Sequence, residues 1–308
     1  MKSMTAPTAM HQRGRTLLEL LIALAIGLVI MLALGTVYLG TSSTTRQSVS
    51  VNRMSEDAAI AFKLIGDDLR MAGFSRPRAL TLPGGPIIDG VKLTAPDRAF
   101  TGAAVRGCDH GFANPAVAFE NLTCAGDTDK PAAVAIRFEG DVVNTVAIND
   151  NPSDCLNREV TDTLTSVLGP YHLVESRFAA SSGGSSGTPE LSCGGNGSAT
   201  FAAQPLVQFV EDIQMRYGIT SASQVRRDVV RYVTAAEIDA LGGTVDRDWS
   251  RVVNVRICLV MRSQNRDQSG SNSYIDCDGN TATSADGLAR RAFTSVYALR
   301  NASDFLQP

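Results

Sequence analysis

The chain has 308 residues and a mass of 32.6 kDa, enough for one large domain or two small ones with a sizeable core. Its 44% of hydrophobic residues excludes a disordered chain, because such a chain could not bury enough apolar surface to offset the entropy of ordering. With 28 Lys and Arg against 31 Asp and Glu, the formal charge of −3 argues against a nucleic-acid-binding protein, which needs a basic face.

An uncharged apolar run extends from Leu20 to Leu39. A helix of that length, rising about 1.5 Å per residue, spans the ~30 Å hydrocarbon core of a bilayer. Lys2, Arg13 and Arg15 precede the run, so the N-terminus is expected to stay cytoplasmic while the rest crosses the membrane. A cleaved signal peptide is the alternative, but its apolar core is typically about 7–15 residues long. The length of the run therefore favours a retained anchor.

Glu19 stands at the cytoplasmic edge of this run, between two leucines. A carboxylate inside a transmembrane helix costs about 2.5–3.5 kcal/mol at the bilayer centre and less near the edge, so such a residue is a functional candidate that needs a cationic partner. The alternative is a glutamate at headgroup level that only marks the membrane border.

The sequence GRTLLEL at residues 14–20, followed by the apolar helix, resembles the class III signal of type IV pilins and pseudopilins. The resemblance implies that a prepilin peptidase cuts between Gly14 and Arg15, methylates the new amino terminus at Arg15, and leaves the helix on the mature chain. It also implies that Glu19, then the fifth residue, neutralises the terminal amine of a neighbouring subunit during assembly. A buried carboxylate and a buried ammonium are each costly alone and tolerable as a pair.

Arg15 departs from the family pattern, in which the first mature residue is usually Phe or another apolar residue. Arg15 and Glu19 are spaced i, i+4, so on a helix they can pair within one subunit. We hypothesise that this internal pair competes with the intersubunit pair and lowers free polymerisation. Loss of a leader at residues 1–14, which contains Lys2 and Arg13, leaves 26 of the 28 basic residues against 31 acidic ones, a formal charge of −5.

The helical pattern continues beyond the membrane segment and is expected to end at Gly73 and Pro77. We divide it into a transmembrane and assembly half at residues 15–40 and an amphipathic half at residues 41–73. A freestanding coiled coil is the competing interpretation, but the apolar stripe lacks sustained heptads with flanking charges. Residues recurring every three or four positions form that stripe: Val51, Met54, Ala58, Ala61, Phe62, Ile65, Leu69 and Ala72.

The remainder reads as strands, loops and one short helix. The fold class predicted is α+β, with the long N-terminal helix packed on an antiparallel β-sheet, as in pilins. A capping box at Thr234 and Glu237 is expected to open a helix that ends at Gly242. The predicted strands are a hairpin of residues 132–138 and 142–148, a pair at 206–217 and 225–233, a strand at 249–262, and a final strand at 292–299.

The second half of the chain resembles the PilW family of minor pilins in VRICL at 255–259, YIDCDG at 274–279, RRAFT at 290–294 and LRN at 299–301. The helix end DLRMAGF at 68–74 is similar to the same family. Residues 74–308 are taken as the globular pilin-like domain. Residues 77–205 carry no motif that we can match and are expected to be a loop-rich insertion.

Six cysteines lie after the membrane segment and none is in a CxxC motif, which argues against zinc ribbons and thioredoxin-type sites. An even number in an exported region predicts three disulfides. Among the fifteen pairings that six cysteines allow, we favour the sequential one. Its pairs are Cys108 with Cys124, Cys155 with Cys193, and Cys258 with Cys277.

Other motifs predict no chemistry. The GGSSG sequence at 183–187 matches the G-x-S-x-G pattern around Ser185, but a nucleophile elbow needs a strand before it and a helix after it. His110 and His172 lie far apart in the sequence without a metal-ligand pattern. The DCDGN sequence at 276–280 is faintly like a calcium loop but lacks the acidic residue at the twelfth position, and solvated turn residues explain it equally well. No catalytic residue, metal or cofactor is expected.

The PilW resemblance implies a structural, non-enzymatic minor pilin that primes type IV pilus assembly in a tip complex. Its implied partners are other minor pilins, the major pilin, the prepilin peptidase, a tip adhesin and the inner-membrane assembly platform. The implied location is the inner membrane, single-pass with a periplasmic C-terminal domain, and then the fibre. Two alternatives stay open: a minor pseudopilin of a type II secretion system, and a membrane-anchored periplasmic hydrolase using Ser185.

Overall fold

The computed structural model describes residues 16–78, 97–166, 168–181, 183, 187–221, 228–266 and 272–301. The chain divides into two compact units, Met1–Val49 and Ser50–Pro308. The expected leader at residues 1–14 and Arg15 lie outside the described residues.

Three α-helices and fourteen strands are formed by the described residues. The helices are α1 (Leu17–Met71), α2 (Ala235–Asp239) and α3 (Val245–Trp249). The strands are β1 (Pro77–Arg78), β2 (Asp97–Arg98), β3 (Val105–Cys108), β4 (Ala133–Gly140), β5 (Thr163–Ser166), β6 (Gly169–Ser181), β7 (Glu190–Gly195), β8 (Gln204–Gln208), β9 (Val210–Ile219), β10 (Arg231–Val233), β11 (Val252–Arg266), β12 (Asn272–Ile275), β13 (Thr281–Ser284) and β14 (Leu288–Ala298).

Every strand pairing is antiparallel, as the sequence predicted. One sheet has the strand order β3-β4-β6-β7-β8, with β5 also paired to β6, and the second has the order β10-β9-β11-β14. Two further pairs, β1-β2 and β12-β13, stand outside these sheets. With α1 preceding the sheets, this arrangement confirms the α+β fold class.

The second half of α1 packs on both large sheets through one apolar stripe. Met54, Ala58, Ala61, Ile65, Leu69 and Ala72 are all buried, each with at most 3% of its surface exposed. They join one core with Ile213 and Tyr217 of β9 and with Ile257 and Leu259 of β11. Val134 and Ile136 of β4 and Phe178 of β6 belong to the same core. Alternation along the strands places these side chains on one face of each sheet.

The C-terminal end of α1 is fixed to the sheet beside it. Gly73 adopts a φ of 74°, the left-handed conformation that commonly ends a helix and that glycine accepts without strain. Its N–H donates to the carbonyl of Arg137 in β4 at 2.9 Å. The Asn301 side chain also donates to the Arg70 carbonyl at 2.9 Å, so it satisfies one of the last carbonyls, which have no partner within the helix.

A glycine lets β14 approach α1 closely. The Tyr297 hydroxyl donates to the Phe62 carbonyl on α1 at 2.7 Å, and the Arg70 guanidinium lies 5.5 Å from the centre of the Tyr297 ring. The ring passes directly over Gly66, where an added Cβ would stand 2.6 Å from Cζ and 2.9 Å from the hydroxyl oxygen. The contact therefore requires glycine at this position.

The other face of the six-stranded sheet carries charged side chains that loops cover. Arg137 of β4 is 5% exposed, stacks 3.6 Å from the centre of the Phe119 ring, and pairs with Glu120 at 2.5 Å. Glu139, two residues on, accepts from Ser75 and from Arg78 at 2.5 Å. Because these buried charges are paired and hydrogen-bonded, the face tolerates their burial.

Two local expectations were wrong. Residues 142–148 do not form a strand with 132–138, because β4 pairs instead with β3 and β6. Trp249 belongs to α3 and not to the following strand, since Thr244 caps that helix by accepting from the Arg247 N–H. Residues 77–205, expected to be a loop-rich insertion, also supply β1 to β7 and thus most of the six-stranded sheet.

We expect Gly66→Ala to lower the stability of the full chain in detergent by about 1–3 kcal/mol, because the added methyl must displace the Tyr297 ring. In an exposed helix the same change stabilises by roughly 1 kcal/mol. Gly40→Ala is the matched control, since an added Cβ there meets nothing within 4 Å. Thermal unfolding measures both, and a higher midpoint for Gly66→Ala would show that the close approach does not matter.

Candidate functional site

The first candidate is the apolar part of α1 in the first unit. From Leu17 to Leu39, its large apolar side chains are all more than half exposed, with Leu17 at 78% and Met31 at 74%. Among the described residues, α1 is the one helix long and apolar enough to cross a membrane, by length and composition. A contiguous exposed apolar surface of this size marks a membrane or protein contact.

Glu19 lies at the start of this surface, in the first turn of α1. Thr16 caps the helix: its side-chain oxygen accepts from the Glu19 N–H at 3.3 Å, and its carbonyl accepts from the N–H groups of Glu19 and Leu20 at 3.1 and 3.3 Å. Thr16 and Glu19 thus have the spacing of a capping box. Within the described part of the chain, the Glu19 carboxylate forms no ion pair. Gly14 and Arg15, the expected processing residues, lie outside that part.

All six cysteines lie in the second unit and form the sequential disulfides. Cys108–Cys124 joins the end of β3 to the loop before β4, and the two positions are 16 apart in sequence. Cys155–Cys193 spans 38 positions and anchors a loop to β7, and Cys258–Cys277 joins β11 to the turn after β12. In the chain-entropy model each loop closure contributes roughly 3–4 kcal/mol. Each bridge therefore ties a loop to a buried cysteine on a strand.

The remaining polar candidates make local contacts. His110 and His172 each place Nδ1 near a backbone carbonyl, of Lys130 at 3.4 Å and of Asp162 at 3.1 Å. Asp276 caps its own turn by accepting from the N–H groups of Asp278 at 3.0 Å and Asn280 at 2.8 Å. Within the described ranges, no three His, Cys, Asp or Glu side chains are placed to hold a metal. Ser185 lies outside those ranges.

Asp68 on α1 is a partly buried residue with one fully buried carboxyl oxygen, and sequence reasoning missed it. It lines a cavity of about 360 Å³ together with Asn144, Asp154 and other residues. Its Oδ2 and the Oγ of Ser176 are both buried, and neither makes a hydrogen bond with any described residue. Burial raises the pKa of Asp68 to about 7, and the carboxylates of Asp67 and Asp154 add to this shift against the nearby Ser176 hydroxyl. Its position beside Leu69 on the stripe was the available signal.

Residues 178–301 match the family model of Type IV Pilus-assembly protein W, and residues 9–35 match that of the Prokaryotic N-terminal methylation motif. No curated protein matches the chain significantly. A solved structure of a type IV-like pilin from Thermus thermophilus is 10% identical, with 82% of this chain and 97% of that chain covered and a TM-score of 0.40. So distant a resemblance adds nothing to the family matches.

We expect Asp68→Asn to stabilise the full chain above pH 7 by up to about 4 kcal/mol. The folded chain keeps the Asp68 proton up to about pH 7, whereas the unfolded chain loses it near pH 4, so stability falls as the pH rises through this interval. In Asp68→Asn a neutral amide replaces the carboxyl, so the stability is no longer lost as the pH rises. Thermal unfolding at pH 5 and pH 8 should therefore show a gain that is much larger at pH 8.

Asp67→Asn is the matched control for this prediction. Asp67 is the neighbouring residue on the same helix, with 48% of its side chain exposed and surface ion pairs to Lys63 and Arg70. Exposed pairs contribute about 0–1 kcal/mol, and the Asp67 charge is a smaller cause of the Asp68 pKa shift than burial, so most of the pH dependence of the parent should remain in this variant. Equal gains at pH 5 and pH 8 for Asp68→Asn would show that the carboxyl does not titrate in this interval.

Proposed function

We propose that this chain, a PilW-type minor pilin with a prepilin methylation motif, primes type IV pilus assembly and lies in the tip complex of the fibre. The observation that carries the proposal is the exposed apolar segment of α1, which holds Glu19 in its first turn and lies mostly inside the methylation-motif match at residues 9–35. Such a helix suits insertion first in a membrane and then among other apolar helices. The family indicates a structural rather than an enzymatic role.

The proposed mature chain begins at Arg15, after a prepilin peptidase has cut between Gly14 and Arg15 and methylated the new amino terminus. This divides the chain into a leader at 1–14, a transmembrane and assembly helix at 15–40, an amphipathic segment at 41–73 and a globular domain at 74–308. The methylation-motif match spans residues 9–35 and so supports processing in this region.

The motif and the apolar helix indicate membrane anchoring and association with a pilus. We place the N-terminus in the cytoplasm and the second unit in the periplasm before assembly, and the chain in the fibre afterwards. Three disulfides in the second unit support an oxidising compartment for that unit.

A pilin interacts with other pilus components. The partners proposed here are other minor pilins, the major pilin and the prepilin peptidase, with a tip adhesin and the inner-membrane assembly platform. In this scheme Glu19 pairs with the terminal amine of a neighbouring subunit, and Arg15 competes for it within the subunit. A carboxylate and an ammonium in an apolar surrounding each need such a partner.

N-terminal sequencing and mass spectrometry of the mature protein test the processing step. We expect the chain to start at a methylated Arg15, about 14 residues shorter than its precursor in this scheme. A start beyond Leu39 would mean that an ordinary signal peptide had been removed and would overturn the proposed anchor.

We expect Glu19→Gln to reduce incorporation into fibres by at least about tenfold, since an unpaired buried ammonium costs several kcal/mol. Glutamine keeps the length of the side chain and its ability to complete a capping box, but loses the charge. Quantitative blotting of sheared fibres against the membrane fraction measures the effect.

Thr16→Ala provides the control for Glu19→Gln. It removes the hydroxyl that accepts from the Glu19 N–H, at a cost of about 1 kcal/mol to the helix start, and leaves the carboxylate in place. Incorporation of this variant should stay near the parental level. If instead Thr16→Ala fails and Glu19→Gln assembles, the carboxylate serves only to cap its own helix.

A further inference from the structure

The four-stranded sheet has a second face, opposite the core, that carries two arginines side by side. Arg256 of β11 lies directly across from Arg216 of β9 on one side and from Val296 of β14 on the other. Residues directly opposite in an antiparallel pair point to the same face. Both arginines, together with Thr294, line one open cavity of about 370 Å³. We call Arg216, Arg256, Tyr232, Thr294 and Val296 the arginine surface.

Like charges directly opposite in a sheet are destabilising. The described residues offset the repulsion between Arg216 and Arg256 only in part. Arg216 pairs with Asp278 at 3.3 Å, where half of the Asp278 side chain is exposed. Arg256 is exposed and lies 4.9 Å from the centre of the Tyr232 ring, but it forms no ion pair with a described residue. The surface therefore keeps an excess positive charge in a chain whose formal charge is −3.

The side chains around Arg256 are held in place. The Tyr232 hydroxyl accepts from the Asn254 side chain at 3.2 Å across Gly218, which has no side chain to separate them. Cys258, two residues from Arg256, is fixed by its disulfide to Cys277 next to Asp278. Groups held in this way lose little conformational freedom on binding, so a partner gains more from each contact.

We propose that the arginine surface binds an acidic segment of another pilin subunit, with a partner carboxylate placed between Arg216 and Arg256. A guanidinium can bind a carboxylate through two parallel hydrogen bonds, and a second positive charge opposite the first strengthens the attraction. This inference rests on the proposed function.

The residues of the arginine surface are of the types found at protein–protein interfaces. Arg and Tyr are the residues that most often dominate binding energy at interfaces, and Val296, with 52% of its surface exposed, adds apolar area beside them. The whole surface falls within residues 178–301, the part of the chain that matches the pilin family. A subunit in the fibre is therefore the partner that this surface fits.

Photo-crosslinking in the producing cells tests the proposal with the full chain. A benzoylphenylalanine at Val296 should form an adduct with a different pilin, at a peptide that contains Asp or Glu. Arg216→Gln with Arg256→Gln should reduce the adduct at least about tenfold, equivalent to roughly 1.4 kcal/mol, and replacing both arginines by Lys should restore part of it. Arg247→Gln, an exposed arginine elsewhere, is the matched control and should leave the adduct unchanged.

A second crosslinking position controls for exposure alone. Val143 has 81% of its surface exposed and lies on a loop outside the arginine surface, so a benzoylphenylalanine there should not give the same adduct. The proposal is overturned if the Val296 adduct survives loss of both arginines, if its partner is a second copy of this chain, or if no pilin adduct forms while the chain enters fibres. Absence of the parent chain from fibres would instead overturn the proposed function.

Discussion

The close approach of α1 to two sheets is the constraint on which the second unit depends. The helix presents small side chains, among them Ala58, Ala61 and Ala72, and a glycine at position 66, to the neighbouring strands. Small residues let a helix backbone lie near a sheet, and the larger core side chains then come from the strands. The Tyr297 ring over Gly66 fixes β14 against α1, and β14 in turn forms one edge of the four-stranded sheet.

The packing of α1 on the sheets buries a polar group that lacks a hydrogen-bond partner. Asp68 lies next to Leu69 of the apolar stripe, so docking the helix takes its Oδ2 out of water without giving it a hydrogen-bond partner among the described residues. A buried acceptor without a partner opposes folding. The Asp68 carboxyl therefore keeps its proton up to about pH 7. The cavity beside Asp68 is therefore a place where close helix packing and polar satisfaction conflict.

The sequence predicts the elements that depend on local patterns. The apolar run and the 3.6-residue stripe predicted α1, and alternation predicted most of β9 and β11, because stripe and alternation both record which side of an element is buried. The split between β8 and β9 was missed, because Phe209 adopts a φ of 64° that hydrophobic alternation does not predict. The arginine surface was missed for another reason: Arg216 and Arg256 are 40 positions apart, and only the strand register brings them together. Asp68 was missed although its place beside Leu69 was a signal, because a shift of one residue around a helix decides whether a side chain is buried.

Two kinds of polar group at the start of α1 need a partner: the first backbone N–H groups and the Glu19 carboxylate. The helix needs its first N–H groups satisfied, and the Thr16 hydroxyl meets part of that need by accepting from the Glu19 N–H. The Glu19 carboxylate is thus left out of the hydrogen bonds that the Thr16 hydroxyl and carbonyl accept at the helix start. An ionised carboxylate beside exposed apolar side chains such as Leu17 and Leu20 cannot enter an apolar surrounding without a cation. The chemistry that caps the helix therefore leaves the charge available for a cation from outside the helix.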